Sequence, residues 1–597
     1  MSIVDEKSQR MDAVERADHH ESVDTVDEEF ADDVEVSPEA IGGASTSDLP
    51  PGYYRSFNFI GTLVAIVFGK NALFLSGSMP LNVLTDINKD IGPNASFDWV
   101  AIIFSVLSAS TFLLGGRLSD LIGRRWVYIG STSIGTLGCV IAAAAPTIPA
   151  LIVGAAFIGV HAGPQQNLLM LIAELVPNKF RPWVSSLVFN MALPLIAFGP
   201  VFIRLMIQNI GISGWRWSYG IAAIFNGVSL ILLILCYHPP NFEMLHARSQ
   251  KKVPAWKMVD FVGTILFLAG LTIFLLGLSW GGTVYVWNSG KVIGFLVAGA
   301  VLLIMFALWE VYGAGDYPLV PMHLLRNAAF MSLAFASGIA TMTYFALLLI
   351  WPNQLSLLYD TSFMGVGLKS CVIQSGTSIG YLISSLVMKP LGKQKWQFVF
   401  GLIVLAAFMG GMAGTTPNTQ TMALFFLGIV GASIGWIECI ALTLAPFCLK
   451  HDELGIALGF VGTVRAGLAA AGQTIFTTIY TNCLKADLPK YVTPVVVQAG
   501  LPESSVPALL AGLAAGNLTG ISGLTPAITA VAKTAYKEGY SHSFQTVYLS
   551  SIAFGVVGIL TSLFAPNTER KLNSAISRKL HRRQRHKAAN ATTETSS

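Results

Sequence analysis

Apolar runs of about 20 residues, separated by short turns that carry most of the charge, recur along nearly the whole chain. A run of this length crosses a hydrocarbon core of about 30 Å as a helix. Lipid offers no water to satisfy backbone N–H and C=O groups, so helices and closed barrels are the structures that can span it. A barrel strand would show shorter segments of alternating polarity. The runs are therefore read as helices at roughly 57–79, 98–115, 127–145, 149–173, 184–207, 216–237, 259–280, 291–313, 328–351, 364–388, 396–414, 421–447, 455–480 and 544–565. These predict an all-α polytopic membrane protein with about fourteen transmembrane helices, in two six-helix halves plus a central pair.

Composition supports this. Charged residues make up 12% of the 597 residues, about half the share in a soluble domain, which is roughly 25%. The remaining charge is unevenly placed. Segment 1–56 is read as an acidic, disordered cytosolic tail. It lacks the apolar core of a cleavable signal peptide, so the first span is expected to act as an uncleaved signal. The basic tail 566–597 holds Arg570, Lys571, Arg578, Lys579, Arg582, Arg583, Arg585 and Lys587. Directly after a span, such a tail is expected to meet anionic lipid rather than nucleic acid. The six cysteines are scattered without a CxxC pair, so neither a metal site nor a disulfide framework is expected.

Lys and Arg also set the orientation. Alternate turns carry Arg117, Arg124 and Arg125, then Lys179 and Arg181, then Arg248, Lys251, Lys252 and Lys257, then Arg326, then Lys389, Lys393 and Lys395, then Lys450. The turns between them are poor in both residues. The basic set, and with it both termini, is expected to be cytosolic. The expected organisation is an N-terminal half 57–237, a cytosolic linker 238–258, a central pair 259–313, a C-terminal half 328–480 with 544–565, and a long outer loop 481–543. That loop contains helical stretches at 506–515 and 526–537. The sequons at Asn94 and Asn517 would face outward and are candidate glycosylation sites; the one at Asn590 would not.

The turn Gly116-Arg-Leu-Ser-Asp-Leu-Ile-Gly-Arg-Arg-Trp126 lies between the second and third runs. Gly116 and Gly123 permit close packing and a tight backbone, and Asp120 can attract the N-terminus of a neighbouring helix. Arg124 can pair with Asp120, while Arg125 adds a second basic group to the turn. The pattern fits a conformational latch; the alternative is a basic turn that only sets topology.

These residues resemble motif A of the major facilitator superfamily, G-x-L-[GAS]-D-[RK]-x-G-R-[RK], with Leu121 in place of a common basic residue. The resemblance implies a cytosolic latch between the two halves, closed in the outward-open state. Fourteen spans with a central extra pair are similar to the drug:proton antiporter-like branch. Ala173–Arg181, Gly214–Tyr219, Val492–Pro502 and Val547–Phe554 look like the fungal trichothecene-type toxin efflux pumps, with siderophore–iron importers as near relatives. Two family features are altered. The basic residue that antiporters place in the fourth span corresponds to Ala155, and the glycine-rich motif of the fifth is reduced to Gly199-Pro200 with Pro194 upstream. The prolines can still kink a gating helix.

Polar side chains at membrane depth are costly and invite a functional reading. Glu438 is a candidate proton carrier or a hydrogen-bonded structural group. His161 and Gln165 share a helix face, and with Gln166 and Asn167 they can line a cavity or bond a neighbouring helix. Asn190 and Asn226 are candidates to extend that cavity. Lys70, beside Asn71, can snorkel, pair with an acid such as Glu438, or line the cavity of the substrate or proton pathway with Asn71. Arg465 is a candidate for the substrate or proton pathway or, lying nearer the cytosol, a structural partner, and Glu174 and Glu310 are read as interface anchors. Trp351, Tyr344, Trp436 and Tyr381 are candidates to stack on a bulky ligand.

No nucleophile–base pair, phosphate-binding Gly loop or cofactor motif is apparent, so no enzyme activity is expected. The favoured function is alternating-access export of a small amphipathic fungal metabolite, toxin or drug, coupled to protons. The alternatives are proton-coupled import of an iron–siderophore and a transporter-like nutrient or drug receptor. A monomer in the plasma membrane is expected, with the vacuolar membrane as the other location.

Overall fold

The computed structural model describes residues 53–94, 97, 99–121, 123–167, 171–172, 175–177, 180–239, 260–282, 285–315, 318–359, 362–449, 454–515 and 521–567. Nearly all of the acidic and basic tails, most of the linker, Glu174, Lys179, Lys450, Asn517 and Asn590 fall outside these residues.

Among the described residues, fourteen helices are long and apolar enough to cross a membrane. They are span 1 (Phe57–Leu81), span 2 (Trp99–Asp120), span 3 (Arg124–Ala144), span 4 (Ile148–Gln166), span 5 (Arg181–Ile210), span 6 (Ile212–Cys236), span 7 (Phe261–Trp280), span 8 (Gly290–Tyr312), span 9 (Ala328–Tyr359), span 10 (Met364–Leu391), span 11 (Gln394–Gly414), span 12 (Gln420–Cys448), span 13 (Leu454–Gln498) and span 14 (Pro526–Ser562). Each corresponds to one of the apolar runs.

Spans 1 to 6 form one half, in which span 4 packs on spans 2 and 3, and span 6 on spans 1 and 3. Spans 9 to 14 form the other, in which span 9 packs on span 13, span 10 on span 12, and span 14 on spans 11 and 13. Span 2 meets span 13 across the seam between the halves, and span 5 meets span 10. Spans 7 and 8 form a hairpin beside that seam. Leu275 of span 7 packs with Val106 and Ala109 of span 2 and Ala470 of span 13, and Thr272 bonds Ser110 at 3.1 Å. Span 8 buries little of its surface, as a lipid-facing helix can.

Spans 1 and 9, the first of each half, each contain a π-helical turn near one end, Phe74–Ser78 and Leu355–Tyr359. Such turns are uncommon and locally widen a helix. Span 5 is interrupted at Ala192, between Arg181–Met191 and Leu193–Ile210. Pro194 follows two residues later and lacks the N–H that an uninterrupted helix would use. Gly199 lies against Met79 of span 1, and Pro200 accepts from Arg204 at 3.0 Å.

The expected outer loop 481–543 is largely helical. Span 13 is 45 residues long, and at 1.5 Å per residue it reaches about 68 Å, twice the apolar thickness of a bilayer. Span 14 starts at Pro526, seventeen residues before the expected loop ends at 543. The two extensions and the helix Val506–Ala515 share a small core of Val492, Val496, Leu509, Ile528 and Ala532. Asp487 joins the extensions, accepting from Ser543 at 2.9 Å and lying 3.1 Å from the His542 ring nitrogen. The apolar residues of this segment recur at helical spacing but serve a local core, so hydropathy ends each span earlier than the backbone does.

Candidate functional site

At the middle of the seam, span 12 presents Glu438 and span 13 presents Arg465. The Arg465 guanidinium donates from Nη2 to Glu438 Oε1, and from Nε to Thr341 Oγ1 of span 9 at 2.9 Å. Thr341 Oγ1 lies 3.3 Å from the same carboxylate oxygen. Three spans thus converge on one charge pair. Spans 10 and 12 approach backbone to backbone here: a Cβ on Gly380 would collide with the Ala432 carbonyl oxygen, and one on Gly435 with that of Thr377. This contact seats Tyr381 beside Glu438 and Arg465.

The opposite half contributes Lys70 and Phe189. The Phe189 ring stacks on Tyr381, with centroids 4.9 Å apart and planes 6° from parallel. Lys70 Nζ lies 5.1 Å from the Phe189 centroid. Glu438 and Arg465 are the charges that act on Lys70. The Tyr344 hydroxyl of span 9 donates to the Gln374 side-chain oxygen of span 10. A narrow cleft nearby is lined by Arg181, Tyr381, Leu442, Thr443, Pro446 and Leu458.

The other polar residues singled out in the sequence lie elsewhere. His161 and Gln165 are fully buried within the first half. Gly135 faces the His161 ring and Gly69 the Gln165 amide, so neighbouring helices press on both. Neither His161 nitrogen nor either amide atom of Gln165 makes a hydrogen bond of ordinary geometry among the described residues. Asn226 lies in the same interior, its amide 3.7 Å from Cys139 Sγ. Gln166 is half-buried at the end of span 4. Asn167 donates to Phe112 O at 2.9 Å, and its own carbonyl accepts from Tyr128 at 3.1 Å, which pins span 4 to spans 2 and 3. Asn71 and Asn190 bond carbonyls of their own helices, at Val67 and Ser186. Trp351 and Trp436 donate to the Lys369 and Gln397 carbonyls, at 3.2 and 3.1 Å. Glu310 accepts from the Leu319 and Val320 backbones at 3.0 and 3.4 Å, holding the connection into span 9.

Two groupings sharpen the sequence reading. Arg465 is the bonded partner of Glu438, while Lys70, offered to Glu438 as a partner, interacts with it by charge without a hydrogen bond among the described residues. Phe189 was missed altogether. One apolar ring among many in a span carries no distinguishing signal, and only its stacking across the seam sets it apart.

The motif lies at one end of the seam. Gly123 has φ 102°, a left-handed conformation that favours glycine, and it turns the chain from span 2 into span 3. Asp120 Oδ1 accepts from Arg124 Nη2 at 3.0 Å, both side chains being almost fully buried. Asp120 Oδ2 accepts from the Ile456 N–H at 3.0 Å, in the first turn of span 13. That N–H belongs to the set a helix start leaves unbonded, and the carboxylate also favours the positive end of the helix dipole. A Cβ on Gly116 would strike the Gly455 carbonyl oxygen, so the two helices touch through backbone. Arg125 donates to Ile234 O at 2.9 Å and ties the turn to span 6. Arg181 lies over the Phe447 ring at 5.4 Å, a second contact between the halves. The motif end of the seam is closed. Nearer the other end, Gly367 of span 10 lies against Arg204 and Pro200 of span 5.

Solved structures share this architecture. The human organic anion transporter MFSD10 aligns with a TM-score of 0.54 at 11% identity, covering 86% of this chain and all of that one. The proton:xylose symporter XylE bound to 6-bromo-6-deoxy-D-glucose aligns at 0.53 and 14% identity, covering 85% and 95%. At such identities the likeness establishes the major facilitator fold alone. Sequence similarity is stronger with the trichothecene efflux pumps TRI12 of Fusarium sporotrichioides, 29% identical over 87% of this chain and 88% of the relative, and of Trichoderma arundinaceum, 28% identical over 90% and 91%. The MFS-type transporter prx5 of Penicillium rubens is 28% identical over 73% and 80%. The family model for the fungal trichothecene efflux pump (TRI12) matches residues 18–597. With that match over nearly its whole length, and with the fold and the motif in place, this chain belongs to the fungal trichothecene efflux pump family of major facilitator transporters.

Proposed function

We propose that this protein exports a toxin-like secondary metabolite by alternating access, with the cargo held at the seam beside Lys70, Phe189, Tyr381, Glu438 and Arg465. The observation that carries this reading is the placement of a charge pair and a stacked aromatic pair where the two halves meet. A group at that position changes its surroundings when the halves rock, and a group buried inside one half does not. The efflux activity named for the two TRI12 relatives supports the outward direction.

Proton coupling is assigned to Glu438. As a carboxylate it holds Arg465; a proton on it cancels the pair and leaves the guanidinium, still bonded to Thr341, free to turn toward cargo. Asp120 serves as the latch: its bond to the Ile456 N–H exists only while the motif end is closed, so opening that end must break it. Pro194, Gly199 and Pro200 give span 5 the bend of a gating helix. The plasma membrane, with both termini cytosolic, is the assigned location, and Asn94 and Asn517 are the glycosylation candidates.

The test is labelled-compound flux in cells with and without the gene. Deletion should raise intracellular retention of the exported metabolite, and Glu438→Gln should remove the dependence of export on a proton gradient. Unchanged retention together with a fall in siderophore-iron uptake would overturn export in favour of import.

A further inference from the structure

We infer that the cargo of the seam site is an amphipathic organic anion, with Lys70 anchoring its carboxylate or enolate oxygen and the Phe189–Tyr381 pair receiving its apolar ring. This rests on the reading that the seam is the cargo site, and it adds the charge class of the ligand.

The argument starts from a charge count at the seam. In the middle turns of spans 1, 2, 4, 5, 9, 10, 12 and 13, the charged side chains are Lys70, Glu438 and Arg465. Glu438 and Arg465 bond each other directly and neutralise one another. Lys70 also feels Glu438 without being bonded to it, so the three side chains together carry one net positive charge. Its Nζ rests over the Phe189 ring, a contact worth far less than an ion pair. An uncompensated charge at membrane depth is costly, and an ammonium at mid-span cannot reach the interface as one near a helix end does. An anionic ligand removes that cost on binding, so its affinity gains where a neutral ligand's does not.

Geometry supplies the second half. Lys70 is half-buried, and its ammonium lies beside the ring stack that joins the halves. A ligand with one acidic oxygen and a flat apolar body meets both features at once. Lys70 is therefore a specificity-determining residue, acting on which ligand is chosen rather than on how the halves move.

The test uses purified full-length protein and two probes of the same skeleton, 1-pyrenebutyrate and its uncharged amide, with binding read by fluorescence anisotropy. Wild type should bind the anion at least about tenfold more tightly than the amide. Lys70→Met should remove most of that preference while changing amide affinity far less, and Lys70→Arg should retain it. Equal affinities in wild type, absence of saturable anion binding, or a preference that survives Lys70→Met would overturn the inference. Failure of the underlying reading looks different: Phe189→Ala and Lys70→Met would then leave the affinities of both probes unaltered, because the probes bind away from the seam.

Discussion

The two halves use buried polarity in opposite ways. In the first, His161, Gln165 and Asn226 are sealed inside the six-helix unit, and several of their polar atoms make no ordinary hydrogen bond among the described residues. In the second, Glu438, Arg465 and Thr341 are bonded to one another and face the seam. The difference teaches that burial alone does not say whether a polar group is sealed inside one half or lies between the two. For the proposed transport, what matters is whether it lies on the surface where the halves meet.

The sharpest way to break this comparison is to remove one member of the seam pair. Arg465→Met removes the bonded counter-charge of the Glu438 carboxylate, leaving only the more distant Lys70, and should destabilise the protein by on the order of 3 kcal/mol. The double variant Glu438→Gln with Arg465→Met should recover much of that loss while staying inactive in proton-driven flux. Thermal unfolding in detergent checks the first effect and flux the second; a double variant no more stable than Arg465→Met would mean that the two residues do not act as a pair.

Next comes Asp120→Ala. It removes the acceptor of the Ile456 N–H and the Arg124 guanidinium, and turnover should fall about tenfold, corresponding to roughly 1.4 kcal/mol. The fall should be the same for every cargo, since the latch does not touch them. Transport rates for two unlike substrates test this, and a change in their ratio would contradict a purely conformational role.

A packing change should have a comparable effect through a different route. Gly435→Ala places a methyl group against the Thr377 carbonyl oxygen and must push spans 10 and 12 apart. A loss of stability of about 1–3 kcal/mol is expected from overpacking, visible as a lower unfolding temperature.

The smallest effect is expected inside the first half. Gln165→Leu replaces an amide lacking ordinary hydrogen bonds with an apolar side chain of similar size, which should be neutral or stabilising. Flux should change less than about twofold. A large loss of flux at unchanged stability would place Gln165 in the cargo path and erase the contrast between the halves.

How much of this was legible in the sequence depends on the range of the interaction. Fourteen spans can be counted from hydropathy because each must satisfy its own backbone in lipid, a local requirement. The motif is legible for a similar reason: Asp120 and Arg124 are four residues apart, and the turn between them needs Gly123. Pro194 marks the break in span 5 through backbone chemistry. Span ends are less legible, as spans 13 and 14 show, because a helix that leaves the membrane onto a small core keeps its apolar periodicity.

The site was legible only as a collection of parts. Lys70, Glu438 and Arg465 stood out because ionisable groups at membrane depth are rare. Nothing in their spacing along the chain said that Glu438 would choose Arg465 over Lys70, or that His161 would lie behind Gly135. Sequence by itself determined the helices, their number and the turn that joins spans 2 and 3, since these follow from hydrophobic length and short-range backbone chemistry. Only the tertiary structure decided which polar groups pair, which are sealed within one half and which face the seam. Those outcomes depend on close helix contacts between residues far apart in the chain, such as Gly380 with Ala432 and Gly116 with Gly455.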